Sequence, residues 1–306
     1  MRATYLAPAT TVQARLGFDL ERYARHPSLS DAQARRRAGL DLRHRPHRNW
    51  EVSLSAAYAT TNNAGELNPA TGIDVGRLEA RRLNLAPSLA HRVDDVTTTT
   101  ASYSFDEIRG GTTARTTVTA LAAERRLGGR ETAEAAYRVR GFAFDGRGAG
   151  AAHVLTVLWS RRFRARTRLR IEAGPRLYRT RLRAELAAAA EQGLRRGEVS
   201  VRYAKTQATM FGQPLVVDVD ALTAALAYSP IGSLRLSAAP AIYRSAGGGR
   251  RARVRRLDVS ATWRLRRRLS ITASQELGMQ TGTLAGSAEG RVSRRVFTVR
   301  LMAGAN

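Results

Sequence analysis

The sequence predicts an all-β protein: a single transmembrane antiparallel up-and-down β-barrel of about 16 strands. Three observations lead to this prediction. Apolar and polar residues alternate with a period of two along most of the chain, the connections after every second strand are short, and all three tryptophans lie on the apolar face near those connections. Because successive side chains of a strand point to opposite faces, the pattern gives each strand one apolar and one polar face.

The hairpin from Arg253 to Ser274 shows the alternation most clearly, with an apolar face on one side and an arginine-rich face on the other. The rest of the chain repeats it. The predicted strands in chain order are Val12–Leu20, Ala38–Leu42, Trp50–Tyr58, Leu83–Leu89, Thr99–Phe105, Thr116–Ala120, Ala133–Val139, Leu155–Trp159, Leu169–Leu177, Leu182–Ala190, Val199–Tyr203, Leu222–Tyr228, Leu234–Ala238, Leu257–Leu265, Leu269–Ala273 and Phe297–Ala303. Helix competes at Leu182–Gln192, where alanine and glutamate are frequent, but the residues there also fit a strand.

Connections differ in length between the two ends of the predicted strands. The short ones are 45–49, 92–95, 126–130, 161–166, 193–197, 229–233 and 266–268, whereas most of the others are longer. The longest loop is Thr60–Gly76. Short periplasmic turns and longer external loops are typical of outer-membrane barrels, so we expect the short turns and both termini on the periplasmic side.

The composition is strongly basic. The 306 residues include 51 Lys+Arg and 25 Asp+Glu, which gives a formal net charge of +26, and there is no cysteine. The lack of cysteine excludes disulfides, a thiolate nucleophile and cysteine metal sites. No apolar run is long enough for a membrane helix, and the start MRATYLAPATT has no apolar signal region. We therefore expect one barrel domain over 1–306, either a mature chain without its signal or the C-terminal part of a longer chain.

Aromatic residues on the apolar face predict that this face contacts lipid rather than a soluble core or a lipocalin-like interior. Tryptophan and tyrosine prefer the headgroup level of a membrane. The predicted interfacial girdle consists of Trp50, Tyr58, Tyr103, Phe105, Trp159, Tyr228 and Trp263. Outer-membrane lipid is then the first partner of the chain.

If the apolar face meets lipid, the polar face lines a lumen. The arginines assigned to it are Arg15, Arg37, Arg43, Arg82, Arg138, Arg140, Arg168, Arg170, Arg176, Arg202, Arg235, Arg256, Arg264 and Arg300; the acids are Asp19, Asp41, Glu51, Glu134, Glu172, Glu198 and Asp258. Each arginine could pair with a carboxylate across strands and merely fill the barrel. The surplus predicts a channel that concentrates and binds anions.

The short turns are also basic. A basic periplasmic mouth would draw anions in from the periplasm and favours export, although contact with anionic lipid headgroups explains the same turns equally well. Histidines show no metal-ligand spacing, and no metal or cofactor is predicted. Ser88 and His91 are close in sequence, but His91 falls at a periplasmic turn, so we predict that the chain is not an enzyme.

With these features the chain resembles bacterial outer-membrane β-barrels of Gram-negative bacteria. Its strand number and inward arginines are similar to the porin domains of exopolysaccharide secretion systems, whose substrates include cellulose, poly-N-acetylglucosamine and alginate. The resemblance implies an anion-selective outer-membrane pore that exports an acidic exopolysaccharide, with the barrel-assembly machinery and a periplasmic export partner. General porins carry an inward loop, for which only Thr60–Gly76 could serve. Barrel chains usually end on an aromatic residue, so either Phe297 marks an unusual terminal strand or residues are missing.

Three other functions remain open at this point. A general diffusion porin has a similar strand number, and a structural sheath around a partner protein or electron conduit would pair the arginines with an acidic partner. A soluble nucleic-acid-binding β protein would explain the charge. Nucleic acid is not the predicted partner, because the arginines are spread along the whole chain and are not gathered in one tail, helix or patch.

Overall fold

The computed structural model describes residues 2–21, 31–63, 70–73, 77–210, 212–266, 269–283 and 290–303. They form a 17-stranded antiparallel sheet. The strands are β1 (Arg2–Ala7), β2 (Thr10–Glu21), β3 (Asp31–His47), β4 (Trp50–Asn63), β5 (Arg77–Arg92), β6 (Thr97–Gly110), β7 (Thr112–Gly128), β8 (Glu131–Phe144), β9 (Arg147–Arg164), β10 (Thr167–Tyr178), β11 (Arg181–Leu194), β12 (Gly197–Thr209), β13 (Val216–Ile231), β14 (Leu234–Gly247), β15 (Arg250–Arg266), β16 (Leu269–Gly282) and β17 (Gly290–Ala303). No helix in this part of the chain is long and apolar enough to cross a membrane.

Each strand pairs antiparallel with the next along the chain, from β1 with β2 to β16 with β17. This confirms the predicted up-and-down topology. The segment in which helix competed is strand β11, which pairs with β10 from Thr167↔Gln192 to Tyr178↔Arg181. The segment is a strand because its pairing with β10 overrides the helix preference of alanine.

The structure has one strand more than predicted. Strand β1 pairs with β2 from Arg2↔Arg15 to Ala7↔Thr10. Its sequence, RATYLA, carries apolar residues at odd and even positions alike, so the period-two signal is weak. Arg2 lies beside Arg15, part-way along β2, and Ala7 lies beside Thr10.

We call the end of the sheet with the predicted short connections the tight-turn end, and the opposite end the loop end. The connections at the tight-turn end are residues 8–9, 48–49, 93–96, 129–130, 165–166, 195–196 and 232–233, and that between β15 and β16 lies outside the described residues. In the turn at 93–96, the Asp94 carboxylate accepts hydrogen bonds from the amides of Val96 (2.8 Å) and Thr97 (2.7 Å). The hydrogen bond from the Val96 amide has the largest effect, and together the two bonds lower the pKa of Asp94.

The prediction of longer connections at the loop end holds only in part. Residues 22–30, 64–76, 210–215 and 283–289 form longer connections, but Gly111, 145–146, 179–180 and 248–249 are as short as the turns opposite. Positive φ angles explain two of these tight turns. Asp145 has φ 47° and Gly146 has φ 81°, while Gly248 and Gly249 have φ 56° and 77°, as two-residue hairpin turns require.

The outer face of the sheet is apolar and exposed, as the alternation predicts. Leu121 is 60% exposed, Val157 61% and Phe297 70%, whereas Val154 on the inner face is fully buried. The accessible surface of 19319 Å² exceeds the roughly 12,600 Å² of a compact globular protein of this size. A hollow sheet with an apolar exterior accounts for both the exposed apolar side chains and the large accessible surface.

Candidate functional site

The wall of the barrel opens between β11 and β12 near the loop end. Their pairing runs from Leu194↔Gly197 only as far as Leu186↔Lys205. The pairing of β12 with β13 continues to Thr209↔Val216. Residues 206–219 are therefore a hairpin tip that leaves the wall, and we call this segment the inserted hairpin.

The inserted hairpin enters the lumen and contacts the inner face of β8 and β9. Arg140 of β8 donates from Nη1 to Thr206 Oγ1 (3.2 Å) and to the carbonyl oxygen of Gln207 (3.4 Å). Val216 packs against Phe142 and Val154 of β8 and β9. Along the wall, β8 and β12 are separated by four strand spacings, or about 19 Å at about 4.8 Å each. These contacts are possible only across the interior.

A buried ion network joins the inserted hairpin to the inner wall. Arg176 of β10, 1% exposed, donates from Nη1 to Glu185 Oε2 (2.7 Å) and from Nη2 to Asp218 of the hairpin. Glu185 Oε1 accepts from Arg140 Nη2 (3.1 Å) and from the Thr206 hydroxyl (2.6 Å). The hairpin thus supplies a carboxylate and a hydroxyl to charges of the wall, which satisfies groups that would be costly to bury alone.

Residues 70–73, the described part of the connection between β4 and β5, also lie in the lumen. Thr71 is fully buried and Ile73 is 1% exposed. Ile73 packs against Met210, Val217 and Val219 on the face of the inserted hairpin turned away from β8 and β9. Residues 70–73 lie within Thr60–Gly76, which the sequence identified as the only candidate for an inward loop, and we call residues 70–73 the inward loop.

Gly72 fits the inward loop closely against β14. Its φ is +64°, and a Cβ built on it would lie 2.4 Å from Cδ2 of Tyr243. Glycine is therefore required both by the backbone conformation and by the approach to the ring. Together, the inward loop and the inserted hairpin fill the loop end of the lumen with an apolar cluster.

Sequence reasoning missed the inserted hairpin, although a signal for it exists. On β12 and β13 the apolar face that carries Tyr203 and Leu222 continues into Lys205, Gln207 and Thr209 and into Asp220 and Asp218. A lipid-facing strand would keep apolar residues there. The polar residues fit because this face is turned inward, where Gln207 and Thr209 are each only 9% exposed.

Eight of the 14 arginines predicted in the lumen lie within ion-pair distance of carboxylates. The pairs are Arg15–Asp41, Arg43–Glu51, Arg82–Asp106, Arg138–Glu172, Arg140–Glu185, Arg176–Glu185 and Asp218, Arg235–Glu198, and Arg256–Asp258 and Glu276. Arg138 also approaches Glu134. Pairing across strands, the alternative noted for each arginine, thus accounts for many of them. The side chain of Asp19 lies outside the described residues.

Four of the remaining arginines form an exposed group toward the tight-turn half of the lumen. They are Arg168, Arg170, Arg202 and Arg264. Among the described residues, no carboxylate lies within ion-pair distance of these four, and Arg168 donates only a long bond of 3.4 Å to Ser160 Oγ. The last two, Arg37 and Arg300, line a cavity in the middle of the lumen.

The predicted girdle residues lie on the outer face or at its edges. Trp50 stacks on His91 at the tight-turn end with ring centroids 4.2 Å apart, and Trp159 meets Phe163 edge to face at 6.4 Å. Trp263 is 57% exposed beside that end, with Tyr228 nearby on β13. Tyr58 and Tyr103 are exposed further along β4 and β6, where Phe105 is half-buried.

The Ser88 and His91 side chains do not form a catalytic pair. Ser88 Oγ lies 2.7 Å from Ser53 Oγ on the polar face. His91 stacks on Trp50 on the apolar face. The two side chains point to opposite sides of the wall. In the part of the chain that is described, no three His, Asp or Glu side chains come together as a metal site.

Comparison with known proteins identifies the fold. No protein-family model matches the chain, and no characterised protein matches it in sequence. Among solved structures it is similar to the RagAB peptide importer in its closed-closed state (9% identity, TM-score 0.51, 98% of this chain and 52% of that chain) and to the RagAB peptide transporter (10%, 0.50, 92% and 50%). It also matches the siderophore receptor PirA from Pseudomonas aeruginosa (12%, 0.47, 97% and 65%).

The chain has the fold of an outer-membrane β-barrel. This confirms the predicted class, an all-β antiparallel up-and-down barrel. The likeness is to the barrels of TonB-dependent receptors, and the closer resemblance to exopolysaccharide porins is not shown. The chain spans about half to two thirds of the length of the structures it matches. None of the three names describes an enzyme.

Proposed function

We propose that this chain is a transport barrel of the bacterial outer membrane that gathers anionic solutes in an arginine-lined lumen. In this proposal the inserted hairpin and the inward loop close the loop end until they move. The observation that carries it is the uneven pairing of the arginines. Arg140 and Arg176 are locked in ion pairs at the closed end, whereas Arg168, Arg202 and Arg264 are exposed toward the other end.

The outer surface supports placement in a membrane. An apolar surface of this extent is rare on soluble monomers. Trp50 and Tyr58 lie on the same face of β4, eight residues apart; that is roughly 27 Å along the strand, or about 21 Å across the membrane at a tilt of about 40°. This span is close to the apolar band of outer-membrane barrels, about 25 Å tall.

The lumen chemistry supports an anionic solute. Guanidinium groups bind carboxylate and phosphate in bidentate fashion, and a charged lining concentrates ions of the opposite sign. The turns at 165–166 and 195–196 add further arginines to the tight-turn mouth. In the proposed orientation this mouth faces the periplasm. Contact of the same arginines with anionic headgroups is compatible with this role.

An acidic exopolysaccharide is the cargo that the sequence predicts, and it stays a proposal. An extended polysaccharide needs a continuous bore, so it could pass only after both insertions leave the lumen. A sheath around a partner protein has the same requirement. The fold likeness to a peptide importer supports transport as the class of function and assigns no substrate to this chain.

Ion selectivity in planar bilayers tests the proposal. The suitable protein is a shortened-hairpin variant, in which an Asn-Gly turn replaces residues 206–219 between the paired residues Lys205 and Asp220. Under a KCl gradient we expect a reversal potential that shows anion preference. Arg202→Glu with Arg264→Glu should reduce this preference, whereas Arg253→Glu on the outer face should leave it unchanged. A cation-selective channel would contradict the proposed function.

A further inference from the structure

Exposed arginines form a belt on the outer face of β14, β15 and β17 near the loop end, and we call them the outer arginine belt. They are Arg244, Arg251, Arg253, Arg255, Arg291 and Arg295. On β15, Ala252 and Val254 are buried in the lumen against the inward loop and the inserted hairpin, so the arginines that alternate with them face outward. We propose that this belt binds the phosphate headgroup of a membrane lipid. The proposal goes beyond the proposed function, because the site lies outside the lumen.

The belt lies where the apolar band of the barrel ends. On β15, Trp263 lies beside the tight-turn end, and Arg255 is eight residues away on the same face. Eight residues cover roughly 27 Å along a strand, or about 21 Å across the membrane at a tilt of about 40°. Trp50 and Tyr58 are separated by the same number of residues on β4. The belt is therefore at the level of lipid headgroups, which in the proposed orientation belong to the external leaflet.

The arginines of the belt repel one another. Arg244 and Arg253 are directly opposite in the ladder between β14 and β15, where Cβ atoms are about 5 Å apart and like charges are destabilising. The cross-strand neighbour of Arg244 on β13 is Asp220. Among the described residues no carboxylate, that of Asp220 included, lies within ion-pair distance of a belt arginine. An anion that bridges these guanidinium groups would remove the repulsion.

A terminal phosphate group fits this arrangement. Arg255 lies about 7 Å from Arg253 along the same face of β15 and about 7–8 Å from Arg244 across the ladder. These distances allow three long side chains to reach one anion. A terminal phosphate offers three acceptor oxygens, and guanidinium groups bind phosphate in bidentate fashion. A carboxylate has only two oxygens to share among the three arginines.

An apolar groove continues from the belt toward the tight-turn end on the outer face of β13 to β17. It has a volume of about 650 Å³, and the residues that line it include Leu226, Leu236, Ala238, Val259, Ala261 and Phe297. On β15, the groove residue nearest to the belt is Val259, four residues from Arg255, or about 14 Å along the strand. An acyl chain crosses one leaflet, about 15 Å. A chain whose headgroup is held by the belt therefore reaches the groove.

The belt and the groove together identify the class of ligand. A soluble phosphate would use the belt and leave the groove without an occupant. A zwitterionic lipid could lie in the groove, but its own cation would oppose binding to the arginines. A lipid with a terminal phosphate on its head satisfies both parts of the surface.

Native mass spectrometry of the full chain in detergent micelles tests the proposal with dioleoyl phosphatidic acid, dioleoyl phosphatidylcholine and glycerol 3-phosphate. The two lipids share their acyl chains, and glycerol 3-phosphate is the head without chains. We expect phosphatidic acid to bind at least about fivefold more tightly than phosphatidylcholine, and glycerol 3-phosphate not to bind at the same concentrations.

Substitutions in the belt locate the bound lipid. Arg253→Gln should weaken the binding of phosphatidic acid about fivefold, and Arg244→Gln together with Arg253→Gln about 25-fold, since each removes one charge from the headgroup site. Arg109→Gln is the matched control. Arg109 is exposed near the loop end of β6, but its charge is already paired with Glu107, so this variant should bind as the wild type does.

Arg253→Lys separates a binding role from a folding role. It keeps the charge but loses the planar fork, so its affinity should lie between those of wild type and Arg253→Gln. Equal binding of the two lipids, equal losses in Arg253→Gln and Arg109→Gln, or glycerol 3-phosphate binding as tightly as phosphatidic acid would overturn the proposal. Because the belt faces away from the lumen, these outcomes are independent of channel selectivity.

Discussion

Arg176 illustrates at the scale of a residue how the closed end is held. It is almost fully buried, yet both of its terminal nitrogens meet carboxylates, one on the wall and one on the inserted hairpin. Such a network contributes specificity more reliably than net stability, because burial of the charges offsets much of their attraction. Removing Arg176, however, takes one of two arginine partners from each carboxylate and leaves Glu185 with Arg140 and Asp218 with Arg183, so the position is sensitive.

Substitution of Arg176 should therefore release the hairpin. Arg176→Met removes a buried guanidinium from Glu185 and Asp218, which keep Arg140 and Arg183 as partners, so the cost should stay below the about 3–5 kcal/mol of a buried charge left with no partner. We expect faster hydrogen exchange of the amides at 206–209 and 216–219. Arg43→Met, which breaks the exposed pair with Glu51, is the control and should cost less than about 1 kcal/mol. Equal exchange in wild type and Arg176→Met would show that the network does not hold the hairpin.

At the scale of the element, the inward loop and the inserted hairpin depend on each other. Ile73 of the loop packs on Val217 and Val219 of the hairpin, and Gly72 allows this packing by its approach to Tyr243. The hairpin in turn leaves the wall because its pairing with β11 stops at Lys205. Neither element would be well packed without the other, so we expect them to move together.

Gly72→Ala should open this packing. The added methyl group would overlap the Tyr243 ring, and alanine disfavours the positive φ. The chain has no cysteine, so Ile73→Cys gives a single thiol whose labelling rate reports exposure. We expect much faster labelling when Gly72→Ala is added. Gly212→Ala is the control, since Gly212 also has positive φ (+72°) but nothing within 4 Å of its Cβ position; labelling as fast in this control would contradict the packing argument.

The same two elements show how far sequence can predict this structure. The wall is predictable because lipid on one side and a wet lumen on the other impose alternation of apolar and polar residues, as at Thr156 on the inner face and Val157 on the outer face. The pairing of arginines with carboxylates follows from the same alternation. The inserted hairpin was missed because its alternation continues with the phase reversed: the face that carries Leu222 becomes polar at Asp220 and Asp218, and Asp218 meets Arg176 of the inner face. Strand β1 escaped prediction because its apolar residues fall on both faces.

At the scale of the whole molecule, the barrel combines an apolar exterior with a lumen that is open and basic at one end and filled at the other. Hydrophobic burial holds the wall in a membrane, whereas the filled end depends on the Arg176 network, one inward loop and the contacts of Ile73. The parts that close the lumen are therefore smaller and more polar than the parts that build the wall. From this difference we expect that the closure can open while the barrel stays folded.

The most direct test of this account is the single-channel conductance of the wild-type protein compared with that of the shortened-hairpin variant. The account predicts that wild type is closed or nearly closed, and that the variant is stably open because its wall pairing up to Lys205 is intact. Wild-type channels that conduct as well as the shortened-hairpin variant would contradict the claim that the inserted hairpin closes the lumen.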